Sequence, residues 1–493
     1  MANYTNLNQQ YIGGQWKDGT GSEKIEVMDP YTQKNIATFK SAGTGDIDEA
    51  YKSAEAAQKE WAAVNAFERS RIIEEAALIM ENRREELVKI LIEDAGSTYI
   101  KANVEVDFCI AITRHSASFP LESEGTMMPS IVPGKRNEVY RRPLGVVGVI
   151  GPFNFPMYLA MRSVAPALAV GNGVVLKPDS QTALSGGTVL GKIFEEAGIP
   201  AGLLNVVVPK ISEIGDAFVE HPIPRMISFT GSTGVGRRIG EICGRMIKKA
   251  VLELGGNNPF VVLKDADIER AIDGAAFGKF MHSGQICMAV NRIIVHKDVY
   301  EEFTKGFIEK AKNIKVGDPN DQHTLIGPLI NQQAVERILG EVEQAKKEGA
   351  EVLLEGSVDG NVMSPFILKG TNEMATAKHE MFGPVVTIIP VDSEEEALSV
   401  ANDTEYGLSG SVHAGTEEHA RNFAAKMETG MVHINDQSVN DEPLVAFGGM
   451  KSSGLGRFGG KWSLDEFTTF QWISIQEEKR QYPLQDNKIN ESK

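Results

Sequence analysis

Four short runs rich in β-branched residues, GVVGVIG (Gly145–Gly151), GVVLK (Gly173–Lys177), LNVVV (Leu204–Val208) and RMISF (Arg225–Phe229), recur in the chain with helix-length segments between them. Continuous apolar runs of this kind suit strands buried on both faces, and helix-length crossovers between them imply parallel pairing. The region is therefore confined to an α/β fold, in which ligands bind beyond the carboxyl ends of the strands. Three of those ends read GPFNFP, KPDS and TGSTGVGR. After VLELGGNNPFVVL a second alternation begins, with NRIIVH, YEEFTKGFIEKAKNI, GPVVTIIPV and SEEEALSVAND, and predicts a second α/β domain. A chain of 493 residues is indeed too long for one ordinary core.

Outside these regions, Ile47, Ala50, Ala54, Ala57 and Trp61 recur at helical spacing. They predict a helix over Asp46–Trp61, with Asp46 as N-cap and Glu49 as its third-position partner. EVYRRPLG (Glu138–Gly145) and EFTTFQWISIQ (Glu466–Gln476) read as extended strands belonging to neither domain. Such strands are exposed edges unless they pair, and pairing with a second subunit is expected. KRQYPLQDNKINESK reads as a polar, frayed tail.

Charge and cysteine usage narrow the function. The formal net charge of −17 opposes binding to nucleic acid or to an anionic membrane and favours a small-molecule partner. The start, MANYTNLNQQ, lacks the basic and apolar regions of a secretory signal, and no apolar run approaches the length of a bilayer span. Three widely spaced cysteines, Cys109, Cys243 and Cys287, suit a reducing compartment, so a cytoplasmic location is expected. Nine scattered histidines form no H-E-x-x-H and no Cys/His cluster, so no metal is expected. Of the three cysteines, only Cys287 sits in a glycine-flanked, largely apolar stretch, HSGQICMAVNR. Gly284 there would permit close backbone approach, with Gln285 and Ile286 excluding water.

GPFNFP with Asn154, LELGG with Glu253, GQICM with Cys287 and HEMFGPV with Glu380, together with LKPDS, FTGSTGVG and FGGMKSSGLGR, occur in an order that resembles the aldehyde dehydrogenase superfamily. The resemblance spans nearly the whole chain. It implies a Rossmann-like parallel-sheet cofactor domain, a second α/β catalytic domain and a small β oligomerisation segment. The implied boundaries are 1–124 and 146–252 for NAD(P) binding and 253–436 for catalysis. Residues 125–145 and 466–480 would form the oligomerisation strands, 437–465 a loop flanking the active site and 481–493 the tail. A homodimer or homotetramer is implied.

The resemblance also implies roles. Cys287 would be the nucleophile that adds to an aldehyde carbon, Asn154 a side-chain donor to the resulting oxyanion, and Glu253 the general base for thioester hydrolysis. Lys177, Ser180, Gly231, Ser232, Gly236, Glu380 and Phe382 would bind the dinucleotide, with Glu380 and Lys177 at its two riboses and Ser232 in the turn beside the pyrophosphate. Ser180 stands where many NAD-preferring members carry a glutamate that repels a 2′-phosphate, so both NAD and NADP are expected.

The substrate branch most resembled is that of the benzaldehyde and vanillin dehydrogenases. Phe155, Tyr158, Ile286 and Met288 would supply an apolar wall for a flat ring. Arg162 falls where succinate-semialdehyde dehydrogenases carry a carboxylate-binding arginine, so it is either a substrate ligand or a buried structural cation. His282 reads as a residue in or behind the pocket. Oxidation of an aromatic aldehyde is the leading expectation. Oxidation of succinic semialdehyde or another aliphatic aldehyde is the alternative, and a cofactor-independent thiol esterase is the reading from another class.

Overall fold

The computed structural model describes residues 3–480 and 482; the expected tail, 481–493, lies outside the described residues apart from Tyr482. All four β-branched runs form strands of one sheet, at Val146–Ile150, Gly173–Lys177, Leu204–Val206 and Met226–Thr230, with Lys249–Glu253 beside the last. These five are mutually parallel. From the central Val146–Ile150 the chain runs outward through Gly173–Lys177 to Leu204–Val206, then returns to the other side as Met226–Thr230 and Lys249–Glu253. The loops leaving Val146–Ile150 and Met226–Thr230 therefore diverge, and a crevice opens between them. Antiparallel pieces close both edges, Gln10–Ile12 and Gln15–Lys17 on one side and Gly454–Leu455 on the other.

Helices cover both faces of this sheet, because its alternating side chains are apolar on both. Val146, Val175 and Ile227 pack with Tyr51, Ala54, Ile239 and Ile242 on one face. On the other, Val147, Val149 and Val174 pack with the helix Pro156–Ala169, every residue of which is buried. The second sheet carries a parallel core of Phe366–Lys369, Val385–Val391, Val290–His296, Asn258–Val262, Ser411–His413 and His433–Ile434.

Two local expectations need correction. The predicted N-terminal helix begins earlier, at Thr44, with Gly43 as its N-cap. Asp46 is the third helical residue and reaches back to the Gly43 N–H at 2.8 Å, while also accepting from the Thr20 N–H and hydroxyl at 2.7 Å each. The two unplaced strands pair within the chain: Thr468–Gln476 runs antiparallel to Lys135–Pro143 along its whole length, and Thr126–Pro129 adds a third strand. Met127, Met128, Phe470 and Trp472 remain exposed on this small sheet.

Candidate active site

Asn154 sits in the turn between the strand Val146–Ile150 and the helix Pro156–Ala169. Pro156 suits the first helical turn, where a backbone N–H is dispensable. The next two N–H groups, of Met157 and Tyr158, donate to one carboxylate oxygen of Glu105 at 2.9 and 3.1 Å. The other Glu105 oxygen is ion-paired with Lys101 Nζ, which also donates to Ser97 Oγ at 2.9 Å. This buried cluster on the helix Tyr99–Glu122 pins the start of the next helix, and so the turn carrying Asn154. Asn154 Nδ2 donates to the Gln285 carbonyl at 2.9 Å. A side-chain amide has two N–H donors, so one can serve an oxygen next to Cys287.

Cys287 is reached through an unusual reversal. His282, Ser283 and Gly284 have φ values of 49, 57 and 73°, a consecutive left-handed run following the helix Ile268–Phe280. Glycine is needed at 284 because a Cβ there would lie 2.4 Å from the Gly383 carbonyl oxygen. Gln285 is a clamp: its Oε1 accepts from Ile330 N–H at 2.9 Å and its Nε2 donates to the Pro328 carbonyl at 3.3 Å. Asn258 Nδ2 holds the Cys287 carbonyl at 2.8 Å, and a Cβ on Gly256 would come within 2.4 Å of that oxygen. The Cys287 backbone is thus fixed from two sides.

The electrostatics are those of a dry site. Burial pushes the Cys287 thiol up to about 12, with the Glu380 and Glu253 carboxylates adding to the effect and Arg162 opposing it. Glu253, at the end of the strand Lys249–Glu253, is 2% exposed, and among the described residues neither of its carboxyl oxygens has a hydrogen-bond partner. Burial raises it to about 8, with Arg162 and Arg457 opposing. Glu380 accepts from the Gly256 N–H at 3.0 Å and is raised by burial to about 7.

A cavity of about 300 Å³ opens on Cys287 and Asn154. Phe108, Phe155, Tyr158, Phe277, Ile286 and Met288 wall it with apolar surface, and Gln437, Asn440 and Asp441 add a polar margin. A larger hollow of about 560 Å³ near Tyr31 and Val316 shares no residue with it and holds none of the candidate chemistry. Four of the five expected pocket residues line the cavity; Arg162 does not. It is 2% exposed, its Nη1 donates to Asp441 Oδ2 at 3.1 Å, and its guanidinium carbon lies 4.2 and 4.7 Å from the Phe447 and Phe458 ring centroids. His282 is likewise behind the wall, its ring packed edge-on to Phe155 at 5.7 Å. Burial lowers its pKa well below the ordinary histidine value.

The expected cofactor residues gather at the crevice of the first sheet. Lys177 ends the strand Gly173–Lys177; burial lowers its pKa, with Asp179 opposing. Asp179 caps the Ser180–Thr182 turn by accepting from the Gln181 N–H at 2.9 Å, so its carboxylate is engaged locally. Gly231 follows the strand Met226–Thr230, and Ser232 is the N-cap of the helix Thr233–Met246, which contains Gly236. No side chain caps that helix. An uncapped helix start offers backbone N–H groups and a positive dipole end, which fit a pyrophosphate. Phe382, at φ 48°, packs edge-on to Phe153 at 5.7 Å.

Sequence reading missed Glu105, Lys101 and Asp441. Lys101 and Glu105 on a helix with apolar neighbours were a visible i,i+4 signal; Asp441 lay unmarked in the stretch before the glycine-rich loop.

A sequence profile described as "Aldehyde dehydrogenase family" matches residues 16–473. The chain is 52% identical over 484 residues to "Benzaldehyde dehydrogenase YfmT" of Bacillus subtilis, covering 98% of this chain and 100% of the relative. It is 50% identical over 467 residues to a vanillin dehydrogenase of Corynebacterium glutamicum, covering 94% and 96%. The crystal structure of an NAD-dependent benzaldehyde dehydrogenase from Corynebacterium glutamicum superposes with a TM-score of 0.89 at 46% identity, covering 98% of this chain and 100% of that one.

Proposed function

Since the chain belongs to the aldehyde dehydrogenase family, we propose that it oxidises a neutral aromatic aldehyde of the benzaldehyde or vanillin type to the carboxylic acid, with NAD or NADP as acceptor. The observation that carries this reading is the cavity at Cys287: its wall is aromatic and aliphatic, and Arg162, the arginine of the acidic-aldehyde reading, lies off that wall and is bonded to Asp441. That pairing weighs against a carboxylate-bearing aldehyde such as succinic semialdehyde.

In the proposed mechanism a flat ring lies among Phe108, Phe155, Tyr158 and Phe277, which brings the carbonyl carbon to Cys287 Sγ. The buried thiol is protonated at neutral pH, so its proton passes to the Glu253 carboxylate as the S–C bond forms. The carbonyl π pair moves onto oxygen, where Asn154 Nδ2 and the Cys287 backbone N–H hold the negative charge. Bound dinucleotide supplies the acceptor for the hydride that leaves the carbon as C=O re-forms. Cys287 then carries a thioester. Glu253 gives the thiol's proton up to solvent and then removes a proton from water; the resulting hydroxide adds to the thioester carbon, and collapse releases the acid and the Cys287 thiolate, which takes that second proton back from Glu253.

Residues 1–124 and 146–252 would hold the dinucleotide through Lys177, Ser180, Gly231, Ser232 and Gly236. Residues 253–436 would add Cys287, Glu253, Glu380 and Phe382, and 437–465 would close the pocket. The small sheet from 125–145 and 466–480, with Phe470 and Trp472 exposed, supports a homodimer or homotetramer. No helix among the described residues is long and apolar enough to cross a membrane, and the three cysteines are free thiols; a cytoplasmic location accords with both.

NAD(P)H absorbance with a panel of benzaldehyde, vanillin and succinic semialdehyde, run with each cofactor, tests the reading. Benzaldehyde or vanillin should have the highest kcat/KM, and Cys287→Ala should abolish turnover while retaining cofactor binding. A kcat/KM for succinic semialdehyde tenfold above both aromatic substrates would overturn it.

A further inference from the structure

Asp441 is 9% exposed and lies on the cavity wall, while the arginine it holds does not. Its Oδ2 accepts from the Tyr158 hydroxyl at 2.8 Å and from Arg162 Nη1 at 3.1 Å. The remaining guanidinium nitrogens, Nε and Nη2, are buried without a hydrogen-bond partner among the described residues, and the face of the group is covered by Phe447 and Phe458. A ligand entering the cavity therefore meets a carboxylate, with the balancing positive charge behind it.

We propose that Asp441 is a specificity-determining residue that confines this site to aldehydes lacking a negative charge, a deepening that rests on the aromatic-aldehyde reading above. A substrate carboxylate would be buried beside the Asp441 carboxylate, with the Arg162 guanidinium bonded to Asp441 and off the cavity wall. An uncompensated buried charge is expensive, so acidic aldehydes are rejected by repulsion and desolvation together. Removing the Asp441 charge reverses the balance. Arg162 is left without its counter-ion, and a carboxylate on the ligand becomes the group that can neutralise it.

The test compares two substrates of one shape class, 4-formylbenzoate and its neutral methyl ester, with benzaldehyde as reference. Wild-type protein should oxidise benzaldehyde and should show a kcat/KM for the ester at least tenfold above that for the acid. In Asp441→Asn, whose side-chain oxygen can still accept from Tyr158, that ratio should fall at least tenfold, chiefly through a lower KM for the acid. A wild-type preference for the acid, or a folded Asp441→Asn that oxidises benzaldehyde with the wild-type ratio, overturns the proposal. If Asp441→Asn does not fold, Asp441→Ser takes its place, and if that variant fails too the wild-type ratio decides. Failure of wild-type protein to oxidise any of the three aromatic aldehydes, while oxidising aliphatic ones, would instead overturn the underlying functional reading.

Discussion

Two deeply buried glutamates, Glu105 and Glu253, are treated in opposite ways. Glu105 is fully buried, yet one oxygen takes the Met157 and Tyr158 N–H groups and the other meets Lys101. Glu253 is almost as deeply buried and has no hydrogen-bond partner among the described residues. A carboxylate surrounded by donors is a structural tie, because any change of charge or position breaks several bonds at once. A bare carboxyl raised to about 8 can gain and lose a proton near neutral pH without disturbing its surroundings, which is what a general base requires. The first pins the turn carrying Asn154; the second is left unsatisfied, as the proposed mechanism requires of its base.

The contrast can be broken most severely at Glu253. Glu253→Gln should slow thioester hydrolysis by about 10³-fold, at the middle of the range for general-base catalysis. Stopped-flow absorbance should then show a slowed burst of NAD(P)H ahead of a still slower steady state, and equal slowing of burst and steady state would show that Glu253 matters no more to hydrolysis than to the first proton transfer. Glu105→Ala should act on folding before chemistry, since it leaves Lys101 buried without its counter-ion; a loss of about 3 kcal/mol or more in urea unfolding is expected. Glu105→Gln, which can still accept from Met157 and Tyr158, should lose less, and identical losses would show that the helix-start bonds matter little.

The pH dependence sharpens the comparison. Hydrolysis needs ionised Glu253, so its rate should fall about tenfold per pH unit below about 8 and level off above it. The smallest effect is on stability. Glu253 has a folded value above its unfolded one, so its favourable contribution is fully present below about 4.5 and is lost as pH rises through about 8. Glu253→Gln carries no such penalty. At pH 9 it should therefore be more stable than wild type by about 1 kcal/mol or more, with the difference shrinking toward pH 5. Guanidinium melts at the two pH values check this, and a variant less stable at both would mean that the wild-type carboxyl has a partner.

The strands at Val146, Gly173, Leu204 and Met226 were legible because a buried parallel strand announces itself within five residues. Asn154, Cys287 and Ser232 were legible because each sits in a short motif at a strand end or between glycines. Other assignments were not readable locally. Asp46 looked like an N-cap until Thr20 and Gly43 were seen to claim its carboxylate. Nothing local to Thr468–Gln476 showed that one of its sides lies along Lys135–Pro143, more than 300 positions earlier.

What the sequence by itself determined was therefore the two-sheet α/β plan and the residue types available for chemistry, since β-branched runs, helical periodicity and glycine turns act over a few neighbouring residues. Which way Arg162 turns was decided only by the tertiary structure. Its partner Asp441 is 279 positions away, and nothing local to either residue favours the pair. The same holds for Glu105 and the helix start it ties, 52 positions on. A buried charge must find its counter-charge wherever the packed chain brings one, and that choice depends on three-dimensional distance, which the order of residues along the chain does not contain.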